Sequence, residues 1–271
     1  MRRLPLSLLT VLALFGRIAD VRADETLVRL PTRTEVTQGF LLEIPAQPKA
    51  AVLLFAGAAG YLGLDSADGR PRLANGNNFL VRSRHLFAQA GLIVATLDAP
   101  SDEEGGMDAA FRLSPEHAED VAAVVAYLKK QAPVPVWLVG TSQGTLSATR
   151  TGARLGHEVD GVVLTSSISR PGGRQSYHGA VAPQGVLTLG LEDLSVPVLV
   201  VAHGQDACAV TPPDDAPRLL ERLEHSPRKA LRILQGGDPP RSGPCDALSA
   251  HGYLGIEPEA VQVITDFILG R

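Results

Sequence analysis

Cysteine is nearly absent from this chain: its 271 residues include two, Cys208 and Cys245. Neither belongs to a C-x-x-C pair, and no two histidines stand in an H-x-x-x-H spacing, so the tight ligand patterns of a zinc site are missing. Aromatic residues make up 4%, too few for a stacking platform for bases or sugars. A large excess of charge of one sign is missing too. Lys and Arg number 25 against 29 Asp and Glu, the net charge is −4, and no basic stripe is visible. These features argue against nucleic acid and anionic membrane as partners. No internal repeat, linker or low-complexity stretch divides the chain. A membrane span needs about 20 apolar residues, and the longest run, Leu4–Phe15, falls short.

That run has a different meaning. Arg2 and Arg3 precede it, and Val21-Arg22-Ala23 follows with small residues at the −3 and −1 positions of a cleavage site. Residues 1–23 read as a signal peptide. Removal would leave residues 24–271 as a single domain, periplasmic or secreted, with no stable membrane anchor. Export permits a disulfide, so Cys208 and Cys245 are expected to pair rather than bind metal. Such a loop is worth about 4 kcal/mol in the chain-entropy model.

The most informative residues are Gly140-Thr141-Ser142-Gln143-Gly144. An apolar strand at Val134–Leu138 runs into this Gly-x-Ser-x-Gly turn, and Thr145–Leu155 can continue as a helix ending near Gly156. A turn this sharp excludes side chains beside the serine and presents its hydroxyl at a helix N-terminus. The pentapeptide alone is weak in a glycine-rich chain; the strand before it and the helix after it give it weight.

Strand and helix patterns alternate along the rest. Thr26–Leu30 and Phe40–Ile44 read as edge strands of a hairpin-like opening. Ala50–Phe55, Leu92–Leu97, Gly161–Thr165, Val196–Ala202 and Ala230–Leu234 read as strands. Asn78–Ala90, the segment opening at Ser114-Pro115, Pro217–Leu223 and Pro258–Leu269 read as helices. Residues 61–77 are polar and turn-rich, and residues 170–195 are irregular. The pattern predicts a mostly parallel, twisted sheet with helices on both faces, three layers in all. About 30 residues separate the strands at 161–165 and 196–202, near the minimum for one crossover, so no large cap domain is expected.

A serine nucleophile needs a base and an orienting acid, and catalytic residues of such sheets gather at the carboxyl ends of strands. Two histidines meet that condition. His203 lies just beyond the Val196–Ala202 strand, and His251 lies in the loop before the last helix. The chain order Ser142, Asp206, His251 gives nucleophile, acid and base. His203 is the rival base, and Asp238 and Asp246 are rival acids. Cys208 stands two residues past the candidate acid and Cys245 six before the candidate base, so the bridge would join their loops. An oxyanion hole needs two backbone donors. Gln143 supplies one, and Ala58 in the small-residue loop Ala56–Gly60 the other, with Ala59 as alternative. Arg82, Arg84 and Tyr253 could reach the site, and loops 61–77, 101–113 and 170–195 would wall it.

The nucleophile elbow, the Gly-rich loop after an early strand, His203-Gly204-Gln205-Asp206 and His251-Gly252 occur in the order of the α/β-hydrolase fold family, which the chain resembles over nearly all of residues 25–271. The blocks FAGAAGYLGL, LDAPSD, VWLVGTSQGT and SAHGYLG resemble a branch of small exported bacterial hydrolases. The resemblance implies serine-dependent acyl transfer to water. Many relatives carry His-Gly-Gly where this chain has Ala56-Gly57-Ala58, which leaves the second donor between Ala58 and Ala59. The expected function is hydrolysis of carboxylic esters, with a small-molecule acyl substrate and no metal or organic cofactor. A peptidase or amidase with the same triad, and a non-catalytic binding protein, are the alternatives. No propeller or gating domain supports peptide specificity.

Overall fold

A computed structural model describes residues 24–172 and 178–271. The predicted signal peptide lies outside the described residues. The elements run β1 (Thr26–Arg33), β2 (Val36–Glu43), β3 (Ala50–Phe55), β4 (Leu64–Ala67), β5 (Arg70–Leu73), α1 (Phe79–Gln89), β6 (Leu92–Leu97), α2 (Ala109–Arg112), α3 (Pro115–Gln131), β7 (Val136–Thr141), α4 (Gly144–Leu155), β8 (Gly161–Thr165), β9 (Val198–His203), α5 (Ala216–Arg222), β10 (Lys229–Leu234) and α6 (Glu257–Leu269).

Eight strands form one sheet in the order β1-β2-β6-β3-β7-β8-β9-β10. The β1–β2 and β2–β6 pairings are antiparallel, and every other pairing is parallel. The five strands β3, β6, β7, β8 and β9 are buried along their whole length, which explains their near-continuous apolar runs. Alternate side chains serve opposite layers. Leu53 and Leu138 join Val121, Val125 and Leu146 on the face covered by α3 and α4. Val52 and Val139 join Phe79, Phe87 and Ile264 on the face covered by α1 and α6. Ser114 caps α3 as its sequence predicts, its hydroxyl accepting from the His117 amide at 3.1 Å.

Three expectations need correction. The opening strands were expected at an edge, yet β2 is interior: Phe40–Glu43 pair with β6 as well as with β1. The turn-rich stretch 61–77 folds β4 and β5 into a separate two-stranded hairpin. Its turn is Asp68-Gly69, both at positive φ (54° and 73°), a dipeptide that matches the natural twist of a tight hairpin. The candidate nucleophile strand extends to Thr141 rather than stopping at Leu138. Between β8 and β9 the described residues form 3-10 turns at Gly185–Thr188 and Leu191–Asp193, and no cap domain is present among them.

The strand order reverses around β3, with β6 on one side and β7 on the other. A crevice opens at such a reversal, beyond the carboxyl ends of the strands. The loops after β3 and β7 therefore meet there.

His117 shows how tightly the adjoining layer is sealed. It is fully buried between the rings of Phe55 and Phe111, and neither ring nitrogen has a hydrogen-bond partner among the described residues. Burial, then the nearby Arg112 and Arg33 charges, push its pKa from 6.5 down to about 3. The native imidazole is thus neutral where the unfolded one takes up a proton, and stability falls as pH drops from 6.5 toward 3. The slope from this residue is about 1.4 kcal/mol per pH unit once the unfolded state is protonated. Urea denaturation between pH 6 and pH 4 should show His117→Phe losing stability less steeply than wild type by that amount. Equal slopes would contradict the burial of a neutral imidazole.

Candidate active site

The turn after β7 is dictated by backbone crowding. A Cβ at Gly140 would lie 2.4 Å from the Gly144 carbonyl oxygen, and one at Gly144 would lie 2.1 Å from the Phe55 carbonyl oxygen. Glycine is required at both flanks. Ser142 between them takes φ +53°, a left-handed conformation unusual for a non-glycine residue. Its amide donates to the Thr165 carbonyl at 3.1 Å, and its carbonyl accepts from the Thr145 amide at 2.9 Å and the Thr145 hydroxyl at 2.6 Å. The serine is held by β8 on one side and by the first turn of α4 on the other.

The loop after β3 presses against this turn. A Cβ at Gly57 would stand 3.0 Å from Ser142 Cβ. Ala58 follows at φ +49°. Arg112, 1% exposed, supports the loop from inside: Nη2 donates to the Ala56 and Ala58 carbonyls at 3.2 and 3.0 Å, and Nη1 donates to the Ser147 hydroxyl at 2.9 Å. Burial pushes its pKa down to about 10, so it remains a cation at neutral pH. Gly60 at φ +65° leaves room for the guanidinium, since a Cβ there would meet Nη2 at 2.5 Å. The backbone N–H groups of Gln143, Ala58 and Ala59 have no hydrogen-bond acceptor among the described residues, so both candidates for the second donor are free.

The candidate acid and base come from two further loops. Asp206, just beyond β9, accepts at Oδ2 from His251 Nδ1 at 2.9 Å and from the Thr211 hydroxyl at 2.9 Å, and at Oδ1 from the Cys208 amide at 2.9 Å. The carboxylate can only accept, so Nδ1 carries the proton and Nε2 is left with a free lone pair. The loop of His251 is anchored through its backbone. Ser166 donates its hydroxyl to the His251 carbonyl at 2.8 Å, Arg82 donates to the Gly252 carbonyl at 2.5 Å, and the Ser249 hydroxyl accepts from the His251 amide at 3.2 Å. The disulfide joins Cys208 to Cys245 and so ties the Asp206 loop to the segment preceding His251.

None of the rival residues makes a hydrogen bond to Ser142 or to the His251 ring among the described residues. His203 accepts the Gln205 amide at Nδ1 (3.1 Å) and donates from Nε2 to the Gly236 carbonyl (3.0 Å), so both ring nitrogens are committed. Asp246 accepts from the Gly243 amide at 3.0 Å. Asp238 lies in the turn after β10, its amide bonded to the Leu254 carbonyl at 2.9 Å. Arg84 pairs with Glu25. Tyr253 is fully buried, its hydroxyl donating to the Val201 carbonyl at 3.0 Å.

A cleft of about 510 Å³ takes in Ser142, His251, Gly57, Ala58 and Asn78. Its far wall comes from Tyr61, Leu62 and the Ala74–Asn77 stretch, as expected for loop 61–77. Asp98 shapes that wall by accepting from the Leu62 and Leu64 amides at 2.6 and 2.8 Å. The Cys245–Ala247 stretch lines the cleft, whereas residues 170–195 were expected to and none of those described does.

No protein-family model and no curated protein matches the sequence. Solved structures do match. A dienelactone hydrolase from Anabaena variabilis superposes with a TM-score of 0.60 at 17% identity, covering 92% of this chain and 98% of that one. Est1E from Butyrivibrio proteoclasticus with ferulic acid bound gives 0.62 at 14%, covering 90% and 98%. An esterase from Pyrococcus furiosus, Pf2001, gives 0.61 at 16%, covering 92% and 93%. This chain has the α/β-hydrolase fold. Within that hydrolase fold, four supporting side chains carry no local sequence signal: Arg112, Ser166, Thr211 and His178. His178 is buried in the irregular 170–195 stretch. It donates from Nε2 to the Arg170 carbonyl at 3.0 Å and accepts at Nδ1 from the Gln143 side chain at 3.0 Å.

The disulfide closes a sequence separation of 37 residues. Replacing both cysteines, Cys208→Ser with Cys245→Ser, should lower unfolding free energy by about 4 kcal/mol in urea titrations. A loss under about 1 kcal/mol would contradict a loop-closing role.

Proposed function

We propose that this protein is a serine hydrolase of small carboxylic esters. The observation that carries the reading is the 2.9 Å contact of Asp206 with His251 Nδ1, in a cleft that His251 shares with the strained Ser142. Ser142 Oγ attacks the acyl carbon while His251 Nε2 accepts its proton. The carbonyl electron pair moves onto oxygen, where the Gln143 and Ala58 amides donate to it. Collapse breaks the ester bond, and His251 returns the proton to the departing alcohol. Water then attacks the acyl-enzyme, with His251 again as base, and frees the acid and Ser142. Asp206 holds the imidazole tautomer and stabilises the imidazolium. The dienelactone hydrolase and the esterase among the matched folds support ester substrates, and the cleft volume of about 510 Å³ supports small ones. The reading also takes residues 1–23 as a removed signal peptide, with which the Cys208–Cys245 bridge accords.

Wild-type protein should react covalently with a fluorophosphonate probe, while Ser142→Ala and His251→Ala should not. Labelling that persists in Ser142→Ala would overturn the assignment of the nucleophile. Asp206→Asn should lower kcat for p-nitrophenyl acetate by about 10⁴-fold, the loss expected when the imidazole takes the wrong tautomer. Turnover of a matched anilide faster than the ester would overturn the ester preference.

A further inference from the structure

Asn78 is one of the polar side chains lining the cleft that the mechanism above does not use, and it stands beside Ser142. Asn78 is the N-cap of α1 and is half-buried at the cleft wall. Its Oδ1 accepts from the Leu80 amide at 3.1 Å. That bond fixes the amide's orientation, because the flipped form would set an NH₂ group against the Leu80 N–H. Nδ2 is therefore the end left over, and it has no hydrogen-bond acceptor among the described residues.

Where Nδ2 sits is set by Gly57. The point a Gly57 Cβ would occupy is 3.2 Å from Asn78 Nδ2 and 3.0 Å from Ser142 Cβ. The amide and the serine thus flank the same glycine, at the mouth of the loop that carries the Ala58 N–H. The position is rigid on both sides. The Asn78 carbonyl starts the helix ladder by accepting from the Arg82 amide at 2.9 Å, and the Arg82 guanidinium donates to the Asn77 carbonyl at 2.6 Å and to the Gly252 carbonyl at 2.5 Å. One arginine thereby fixes Asn78 relative to the His251 loop.

We propose that Asn78 is a catalytic residue whose Nδ2–H donates to the oxygen that becomes negative when Ser142 attacks. It acts beside the Gln143 and Ala58 amides in a chain that carries alanines in the loop after β3. The proposal rests on the serine hydrolase reading. A donor aimed at a developing oxyanion acts on the transition state, so its removal falls on kcat rather than KM. Its second role as a helix cap has to be separated from this. Serine and aspartate cap helices as well as asparagine does, so Asn78→Ser and Asn78→Asp keep the cap and lose the donor.

With p-nitrophenyl acetate, Asn78→Ser should lower kcat by about 10²-fold or more with KM within about threefold of wild type. Asn78→Asp, which sets a carboxylate against the oxyanion, should lose more. Melting temperature should stay close to that of wild type in both. Fluorophosphonate labelling is run beside the kinetics. If wild type labels and Asn78→Ser keeps kcat within about threefold, the assignment of Asn78 is overturned while the serine hydrolase reading stands. If wild type labels and the loss falls on KM alone, Asn78 contacts the ground state and the oxyanion role is overturned. If folded wild type does not label, both readings fall together.

Discussion

The contact between two pieces of backbone, the start of α4 and the end of β3, is the constraint on which the site depends. Gly144 lies so close to Phe55 that no side chain fits between them. This approach lets the turn after β7 close sharply, which drives Ser142 into its left-handed conformation. The same approach sets Gly57 against the serine. The turn carrying Ser142 and the Gly57 loop are therefore one packing unit, created where the strand order reverses and the two loops have to share a crevice. The cost of strain at Ser142, of order 1–3 kcal/mol, is borne by a sheet whose central strands are wholly buried.

Arg112 supplies what this unit lacks from below. A buried guanidinium is expensive, and this one has no carboxylate within ion-pair distance among the described residues. Instead it meets two main-chain carbonyls and a hydroxyl. Carbonyls drawn inward to a cation turn the amides across the same planar peptides the opposite way. The charge thus orients the Gly57 and Ala59 N–H groups, which share those two peptides, without entering the cleft. Ser166, Tyr253 and Arg82 do the corresponding work for the His251 loop. They grip the backbone and leave the imidazole free to meet Asp206. Supporting bonds of this kind fix first contacts to within fractions of an ångström.

Much of the scaffold was legible because it is written in local pattern. Runs such as AVLLF, LIVATL and VLVVA have the length and unbroken apolarity of strands buried on both faces, and Ser114-Pro115 announces a helix start. Gly140 and Gly144 around Ser142 are legible for a steric reason: a Cβ at either would collide with a backbone carbonyl. Chain order put Asp206 and His251 forward, and their side chains lie in hydrogen-bond contact. The hairpin at 64–73 was hidden: Asp68-Gly69 is a hairpin dipeptide, but its polar strands lack the alternation that usually accompanies that turn. The interior place of β2 was hidden because partners along a sheet are a property of topology. Arg112, Ser166 and His178 were hidden for a related reason. Arg112 reaches back to Ala56 and Ser166 reaches forward to His251, 56 and 85 residues away, and no local period encodes such pairs.

The disulfide has a consequence for where the molecule can breathe. Between its two cysteines lie α5 and β10, and β10 is the outermost strand, with half of its residues exposed. Edge strands open first in native fluctuations. In an unbridged chain each such opening would lengthen the tether between Asp206 and His251. The covalent link short-circuits that path, so the sheet can fray at this margin while the carboxylate and the imidazole keep their distance. Residues 216–244, beyond the Thr211 that supports Asp206, are thereby freed to drift in length and composition, and the pair they separate in sequence stays a local neighbour in space.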